Sequence, residues 1–389
     1  MATPNLPSVK IVEPDASLWG SSLQPAGCTQ CGQAHLVEPA RLGQPCPSCG
    51  RGRLAPQPAR LRPEPPELQA PFLKTGSALL PIFQRFTSPI WLRPDDFNPE
   101  SLTRKAVPVY WPAWLVDSDV SGAWQAEVGY DYQVQSSQET YGGSGWQSRP
   151  LVETRIRWEP RAGELSRHYD NITAPAASDQ ARLLSLLGEY LPGQARPFDA
   201  RELAPQPGSH ETPVVRVPDL PPESAWPLAK DRLDQAVSME CCQAARGQHI
   251  RSFRLQAEYR SLHWTQLLLP MYVTFYTDDA GQVHPVYING QTGTIGGLRL
   301  ASQKKGWRLA GILVAVALGL FLLGLLGIAL GPVASALSVA GMVFIALAFV
   351  ACLAALVPAI YPWQWNRTQT IPPPLQPSAS APERLPPPG

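Results

Sequence analysis

The sequence predicts a multidomain protein: an N-terminal zinc ribbon, a β-rich α+β cytosolic domain and a C-terminal hairpin of two transmembrane helices. Three observations predict it. Two Cys-x-x-Cys pairs lie within the first fifty residues, alternating apolar patterns fill the middle, and Leu309 to Asn366 holds no Asp, Glu, Lys, Arg or His. The expected divisions are a disordered N-terminus at 1–22, the ribbon at 23–54 and a proline-rich linker at 55–71. The β-rich domain follows at 72–298, then spans at 309–330 and 333–358, and a disordered proline-rich tail at 367–389.

Composition narrows the function classes. Lys and Arg total 32 against 31 Asp and Glu, so no global field draws the chain to nucleic acid or anionic lipid, and any such affinity is local. The 44 prolines cluster at Ala55–Pro71, Pro192–Pro227 and after Ile371. Proline fixes φ and removes a donor, which predicts linkers and extended loops. Four of the seven cysteines form the two pairs, Cys241 and Cys242 adjoin in a helical pattern, and Cys352 lies in an apolar run. That usage fits a reducing compartment. The opening MATPNLPSVKIVEPD has neither a basic n-region nor an apolar h-region, so no secretory signal is expected before the cysteines.

Cys28-x-x-Cys31 and Cys46-x-x-Cys49 stand fourteen residues apart, and glycine follows each pair at Gly32 and Gly50. Four thiolates suit tetrahedral Zn²⁺ with Zn–S near ~2.3 Å, and the glycine turn lets backbone amides point at the sulfurs. These four close the site, leaving His35 outside it. A closed site is structural, because catalytic zinc keeps a position open for water. So short a ribbon buries little core, and its folding is expected to need the metal. Arg41, Arg51, Arg53, Arg60 and Arg62 give a local positive bias. They motivate the alternative of a membrane-tethered nucleic-acid binder, although few aromatics are interleaved for base stacking.

In the middle, Val107–Val134 reads as two strands around a turn at Asp117–Gly122, and Leu267–Gly297 as two around Asp278–Gly281. Both place proline and aromatics before a polar turn ending in glycine, the pattern of a divergent internal repeat. Further strands are expected at Leu151–Trp158, Leu165–Ile172 and Ser252–Leu262. Helices are expected at Ser178–Leu191 and after Pro221, the second with Ala229, Leu233, Val237 and Cys241 on one face. Asn289–Gly293 is a turn, for no phosphate-loop motif surrounds it. Asp117 and Asp119 read as turn carboxylates that cap amides. The six histidines show no metal spacing and Cys241 and Cys242 no nearby base, so no enzyme is expected.

The apolar run divides at Gly331-Pro332 into two spans of the length a bilayer needs. Arg299, Lys304, Lys305 and Arg308 precede the first and Arg367 follows the second, while the turn carries no charge. Both termini are therefore expected on the cytoplasmic side of an inner membrane. Trp307, Tyr361, Trp363 and Trp365 fit interfacial anchors. Small residues four apart, at Ala315/Gly319, Gly327/Gly331, Ala334/Ser338 and Ala348/Cys352, suit close helix packing. With no ionisable group inside the spans, a transport path is not expected. The tail IPPPLQPSASAPERLPPPG could serve as a polyproline ligand or simply remain solvated.

Cys28–Cys49, YWPAWLVDSDVSG at Tyr110–Gly122, and Trp158–Gly163 with Tyr169-Asp170-Asn171-Ile172 form part of one combination. Leu269-Pro270-Met271-Tyr272, Asn289–Gly293 and the basic entrance to the hairpin complete it. Together they resemble a bacterial family of membrane-anchored zinc-ribbon proteins, sometimes labelled primosomal helicase-like for the ribbon alone. The resemblance implies a platform in the envelope-stress response that recruits phage-shock-protein-A-like or SPFH-type proteins, with membrane lipid as a further partner. Self-association is compatible with it. Helicase activity is not implied, because the chain has no Walker motif, and the long proline-rich tails depart from the family pattern.

Overall fold

Val, Tyr, Trp and Phe alternate with polar residues through the middle of the chain and build long strands there. The computed structural model describes residues 9–14, 18–143, 145–180, 183, 187–188, 190–203, 212–330 and 335–369. The strands are β1 (Lys10–Val12), β2 (Gln24–Cys28), β3 (Ala34–Val37), β4 (Leu54–Pro56), β5 (Ala59–Leu61) and β6 (Leu68–Gln69). Helices α1 (Gly76–Thr87) and α2 (Pro99–Arg104) precede β7 (Val107–Gly142) and β8 (Gly145–Pro175). Next come β9 (Arg196–Pro197), β10 (Val214–Arg216) and α3 (Pro222–Ala245), and then β11 (His249–Thr277), β12 (Val283–Asn289) and β13 (Ile295–Gly297). Two apolar helices close the order, α4 (Gln303–Ala329) and α5 (Ser335–Thr368). The chain divides into two units, and both β7 and β11 contribute residues to each.

The first unit comprises Ala113–Ala177 and Pro218–Leu267. Here β7 and β8 run antiparallel from Ala113↔Pro175 to Gly142↔Gly145, with one register shift between Val116 and Ser118. Helix α3 starts with proline at its first position and buries Ala225, Ala229, Leu233, Val237, Cys241 and Ala245. That stripe covers Val120, Trp124, Ala126 and Val128 of β7, while Ala225 and Ala229 also meet Trp114, Val116 and Trp264. The expected helical face is thus present.

The expected turn at Asp117–Gly122 is not. Strand β7 runs straight through it. Asp117 falls at the register shift, where its Oδ1 accepts the Asn171 amide at 2.7 Å, and Asn171 takes a left-handed φ of 57°. This is a bulge, which bends a strand without ending it. Gly122 reflects a close approach of backbones, since a Cβ there would lie 2.4 Å from the Gln256 carbonyl oxygen. Gly122→Val is accordingly expected to destabilise the protein by about 1–3 kcal/mol, read as a lowered thermal midpoint. A turn glycine at this site would instead leave the midpoint nearly unchanged.

The stretch Leu267–Gly297, which from Leu268 on belongs to the second unit, behaves as expected over β11, β12 and β13. Met271↔Asn289 through Thr277↔Val283 form a hairpin, closed at Gly281 with φ 77°. One stretch is a continuous strand and the other a hairpin, so the internal repeat does not hold. Asn289–Gly293 is the expected turn, with Asn289 Oδ1 accepting the amides of Gln291 and Thr292.

The second unit comprises Val9–Pro112, Ser178–Val217 and the chain from Leu268. Its strand order is β13-β12-β11-β7-β10-β3-β2-β4, while β1 and β5 form a separate pair. The segments expected as disordered terminus and linker contain structure. Lys10–Val12 pairs with Ala59–Leu61, and Ala59 and Leu61 are buried with Leu18, Leu23, Leu36 and Tyr110. Proline is disfavoured within a helix beyond its first turn but is tolerated at strand edges, and β4, which ends in Pro56, is an edge strand. Of the helix expected at Ser178–Leu191, residues 181–182, 184–186 and 189 lie outside the described residues, and Leu183 and Leu187 are buried. The tail from residue 370 and the turn expected at Gly331-Pro332, within residues 331–334, also lie outside them.

Helices α4 and α5 are long and apolar enough to cross a membrane. They exceed the expected spans at both outer ends, and the reasons are local. The Ser302 side chain accepts the Lys305 amide and starts α4 early. The last turns of α5 run on to Thr368 because Tyr361 and Trp365 pack against the core of Phe83, Phe86, Phe97 and Tyr276.

The seam between the two helices departs from the expected four-residue spacing. Ala310, Ala317 and Gly324 of α4 are buried with Gly341, Ala348 and Ala355 of α5, each set recurring every seventh residue. Gly327 and Ala348 belong to the seam, but Ala315, Gly319 and Cys352 are exposed. A contact that recurs every seventh residue keeps one stripe of each helix against the other along its length. At one end of the seam the Pro358 carbonyl has lost its helical donor, because residue 362 is proline. It faces Gly306, where a Cβ would come within 2.5 Å of that oxygen.

Candidate metal centre

Cys28 ends β2, and the chain turns back at once into β3. Gly32, at φ 71°, donates its amide to the Cys28 carbonyl at 3.1 Å. The second pair repeats this geometry: Gly50, at φ 66°, donates to the Cys46 carbonyl at 2.8 Å. Each turn aims amides at sulfur. Gln30 and Cys31 donate to Cys28 Sγ at 3.4 Å, Ser48 to Cys46 Sγ at 3.4 Å, and Gly52 to Cys49 Sγ at 3.5 Å.

Among the described residues these four cysteines form the one cluster able to hold a metal ion, their sulfurs all within 4.8 Å of one another. Cys28 and Cys49 Sγ stand 3.7 Å apart, Cys31 and Cys46 Sγ 3.9 Å. A tetrahedron of thiolates at ~2.3 Å from its metal has sulfur–sulfur edges of about 3.8 Å, so the donor set fits a closed four-coordinate ion.

The thiols differ in acidity. Burial pushes Cys31 up to about 11 and Cys46 further still. At Cys28 burial acts the same way, but hydrogen bonds, led by the Cys31 and Gln30 amides, outweigh it and bring the thiol down to about 7. Cys28 therefore offers a thiolate to an incoming ion more readily than Cys31 or Cys46. Those two give up protons as it binds, so acid weakens binding.

Sequence spacing left His35 without a role. The structure buries it fully in β3 and places its Nε2 2.9 Å from Ser48 Oγ. Burial, with the Arg216 charge second, lowers its pKa from 6.5 to about 3. The ring is neutral and steadies Ser48, which lies between Cys46 and Cys49. Below pH 6.5 an unfolded chain takes up a proton that the folded ring refuses, so this residue costs stability as pH falls from about 6.5 towards 3. His35→Ala is expected to weaken metal affinity about 10- to 100-fold, with full occupancy restored at excess metal; competition against a chromophoric chelator reads this.

The cluster rests on the β11–β12 hairpin. A Cβ at Gly50 would lie 2.6 Å from the Phe275 ring and 2.9 Å from Val283, and Arg51 donates to the Val283 carbonyl. The tip of the same hairpin holds the start of α4: Asp279 accepts Ser302 Oγ at 2.8 Å and the Lys304 amide at 2.9 Å. Asn366 exchanges hydrogen bonds with the Ala301 backbone, and Trp365 Nε1 donates to the Arg299 carbonyl. One hairpin therefore touches both the cysteine cluster and the apolar helix pair.

The ribbon arginines are mostly engaged within the fold. Arg53 donates to the Gly43 carbonyl, and Arg62 forms a two-pronged pair with Glu67 at 2.8 and 3.2 Å. Arg60 is exposed. Asp119 binds His168 at 2.7 Å on the surface of the first unit. Cys241 is buried there on α3, apart from the metal cluster. Comparison with protein-family models, curated proteins and solved structures returned no match to this chain.

Proposed function

We propose that the protein is a non-enzymatic, membrane-anchored scaffold whose zinc-loaded ribbon and β-rich domain dock cytosolic partners at the inner face of a bacterial membrane. The observation that carries this reading is the β11–β12 hairpin, which supports the cysteine cluster on one side and caps α4 on the other. A cluster closed by four thiols leaves no position for water or substrate, which favours a structural zinc over a catalytic one. Basic residues flank the outer ends of both apolar helices, so both termini face the cytoplasm. The partners proposed are phage-shock-protein-A-like or SPFH-type proteins, on the sequence resemblance. On the same resemblance, the chain is proposed to belong to the bacterial family of membrane-anchored zinc-ribbon proteins.

Flotation tests it. The full chain in proteoliposomes is expected to carry a purified phage-shock-protein-A-like or SPFH-type protein to the top of a density gradient. Cys46→Ser proteoliposomes are expected to carry several-fold less. Failure of the intact chain to carry either class would remove the proposed partners.

A further inference from the structure

A loop remote in sequence reaches the ends of the apolar helices. Pro89 and Pro94 lie in the segment after α1, which turns at Ser88–Pro89 and bends at Trp91–Leu92, and burial alternates along it from Ile90 to Leu92. Ile90 and Leu92 are buried, while Trp91 between them is 55 % exposed. Burial of its neighbours fixes which way Trp91 faces. Its amide donates to Tyr361 Oη at 3.2 Å, and its ring meets Tyr361 edge-on at 5.7 Å. Gly306 lies against Pro358 and Pro362, so Tyr361 is level with the Lys304–Arg308 turn, where charge begins on α4. Around this level Trp307 and Trp363 are also exposed, with the Arg367 guanidinium 4.7 Å over the Trp363 ring. Lys304, Arg308 and Arg367 are exposed, whereas the carboxylate of Asp95, in the same loop, is paired with Lys305.

We infer that the Ser88–Asp95 loop lies in the lipid headgroup layer, with Trp91 as an interfacial anchor and Lys304, Arg308 and Arg367 facing anionic phospholipid. This rests on the reading that α4 and α5 span a bilayer. Tryptophan combines an apolar ring with one donor and settles where hydrocarbon meets headgroups. Each basic side chain near an anionic surface adds to the attraction. The loop would then add, beside the helix ends it touches, a further contact between the second unit and the membrane surface.

Photocrosslinking decides it. The full chain is reconstituted in phosphatidylethanolamine–phosphatidylglycerol liposomes containing labelled phospholipid. Benzoylphenylalanine replaces Trp91, Leu326 within α4, or Ile11 on β1, in separate preparations. Lipid adducts are expected at Trp91 and Leu326, each several-fold above Ile11. Exchanging phosphatidylglycerol for phosphatidylcholine is expected to lower the Trp91 yield at least about twofold and leave Leu326 unchanged. Adducts at Leu326 with Trp91 at the Ile11 level would overturn the loop assignment while the spanning reading stands. Absence of adducts at both overturns the two together, and a Trp91 yield indifferent to lipid charge overturns the anionic part.

Discussion

Replacing Cys46 by serine is expected to strip the protein of its metal and unfold the ribbon. The intact chain should carry a single ion at the four thiols, and the variant less than about 0.2 by elemental analysis, because a site with three sulfurs and a weak hydroxyl loses most of its affinity. Structural zinc contributes on the order of 10 kcal/mol to the folding of small zinc modules. Here the loss spreads further. Cys46 is fully buried, and the cluster ties β2 and β3 to the turn before β4, where Leu36, Val37 and Leu54 are buried. The variant is thus expected to gain protease cleavage between residues 24 and 56. A variant that keeps its metal and its protection would show that the cysteines are not the ligands.

Gly341→Leu has the second large expected effect, in the helix pair. A Cβ at Gly341 would stand 2.6 Å from the Gly324 carbonyl oxygen and 2.8 Å from the Ile328 amide nitrogen. Those are backbone atoms, and neither helix can yield without separating from the other. Overpacking of this kind costs about 1–3 kcal/mol or more. Paired substitutions Ala317→Cys and Ala348→Cys, both on the seam, are expected to crosslink in the parent and to lose most of that crosslink with Gly341→Leu. The same pair should be indifferent to Gly319→Leu, because nothing lies within 4 Å of a Cβ there. Equal sensitivity to both leucines would contradict the seam.

Much of this could be read from the sequence because it rests on local chemistry. Cys-x-x-Cys-Gly is nearly a complete specification of its turn, and the structure brings Cys28, Cys31, Cys46 and Cys49 together as the spacing requires. The apolar run and the stripe on α3 are likewise local patterns. What was not legible depends on residues far apart in the chain. Gly122 sits in a sequence that reads as a turn, and only the approach of Gln256 shows it to be a strand residue. The proline-rich segment after the ribbon reads as a linker until β1 supplies a partner for Ala59–Leu61. His35 has no ligand spacing, and its role follows from the side chain of Ser48 lying opposite it. The helix seam needed the partner helix to show that the working interval was seven residues and not four.

Amide hydrogen exchange on the full chain in lipid nanodiscs, with and without a zinc chelator, tests the central claim most directly: that a metal-built ribbon and a membrane hairpin share one support. The amides of α4 and α5 are expected to stay protected in both conditions. Chelation is expected to release the ribbon and, with it, Phe275–Val283, the strand ends on which Gly50 and Arg51 rest. Exchange that changes only between residues 24 and 56, or spans that exchange freely throughout, would contradict it.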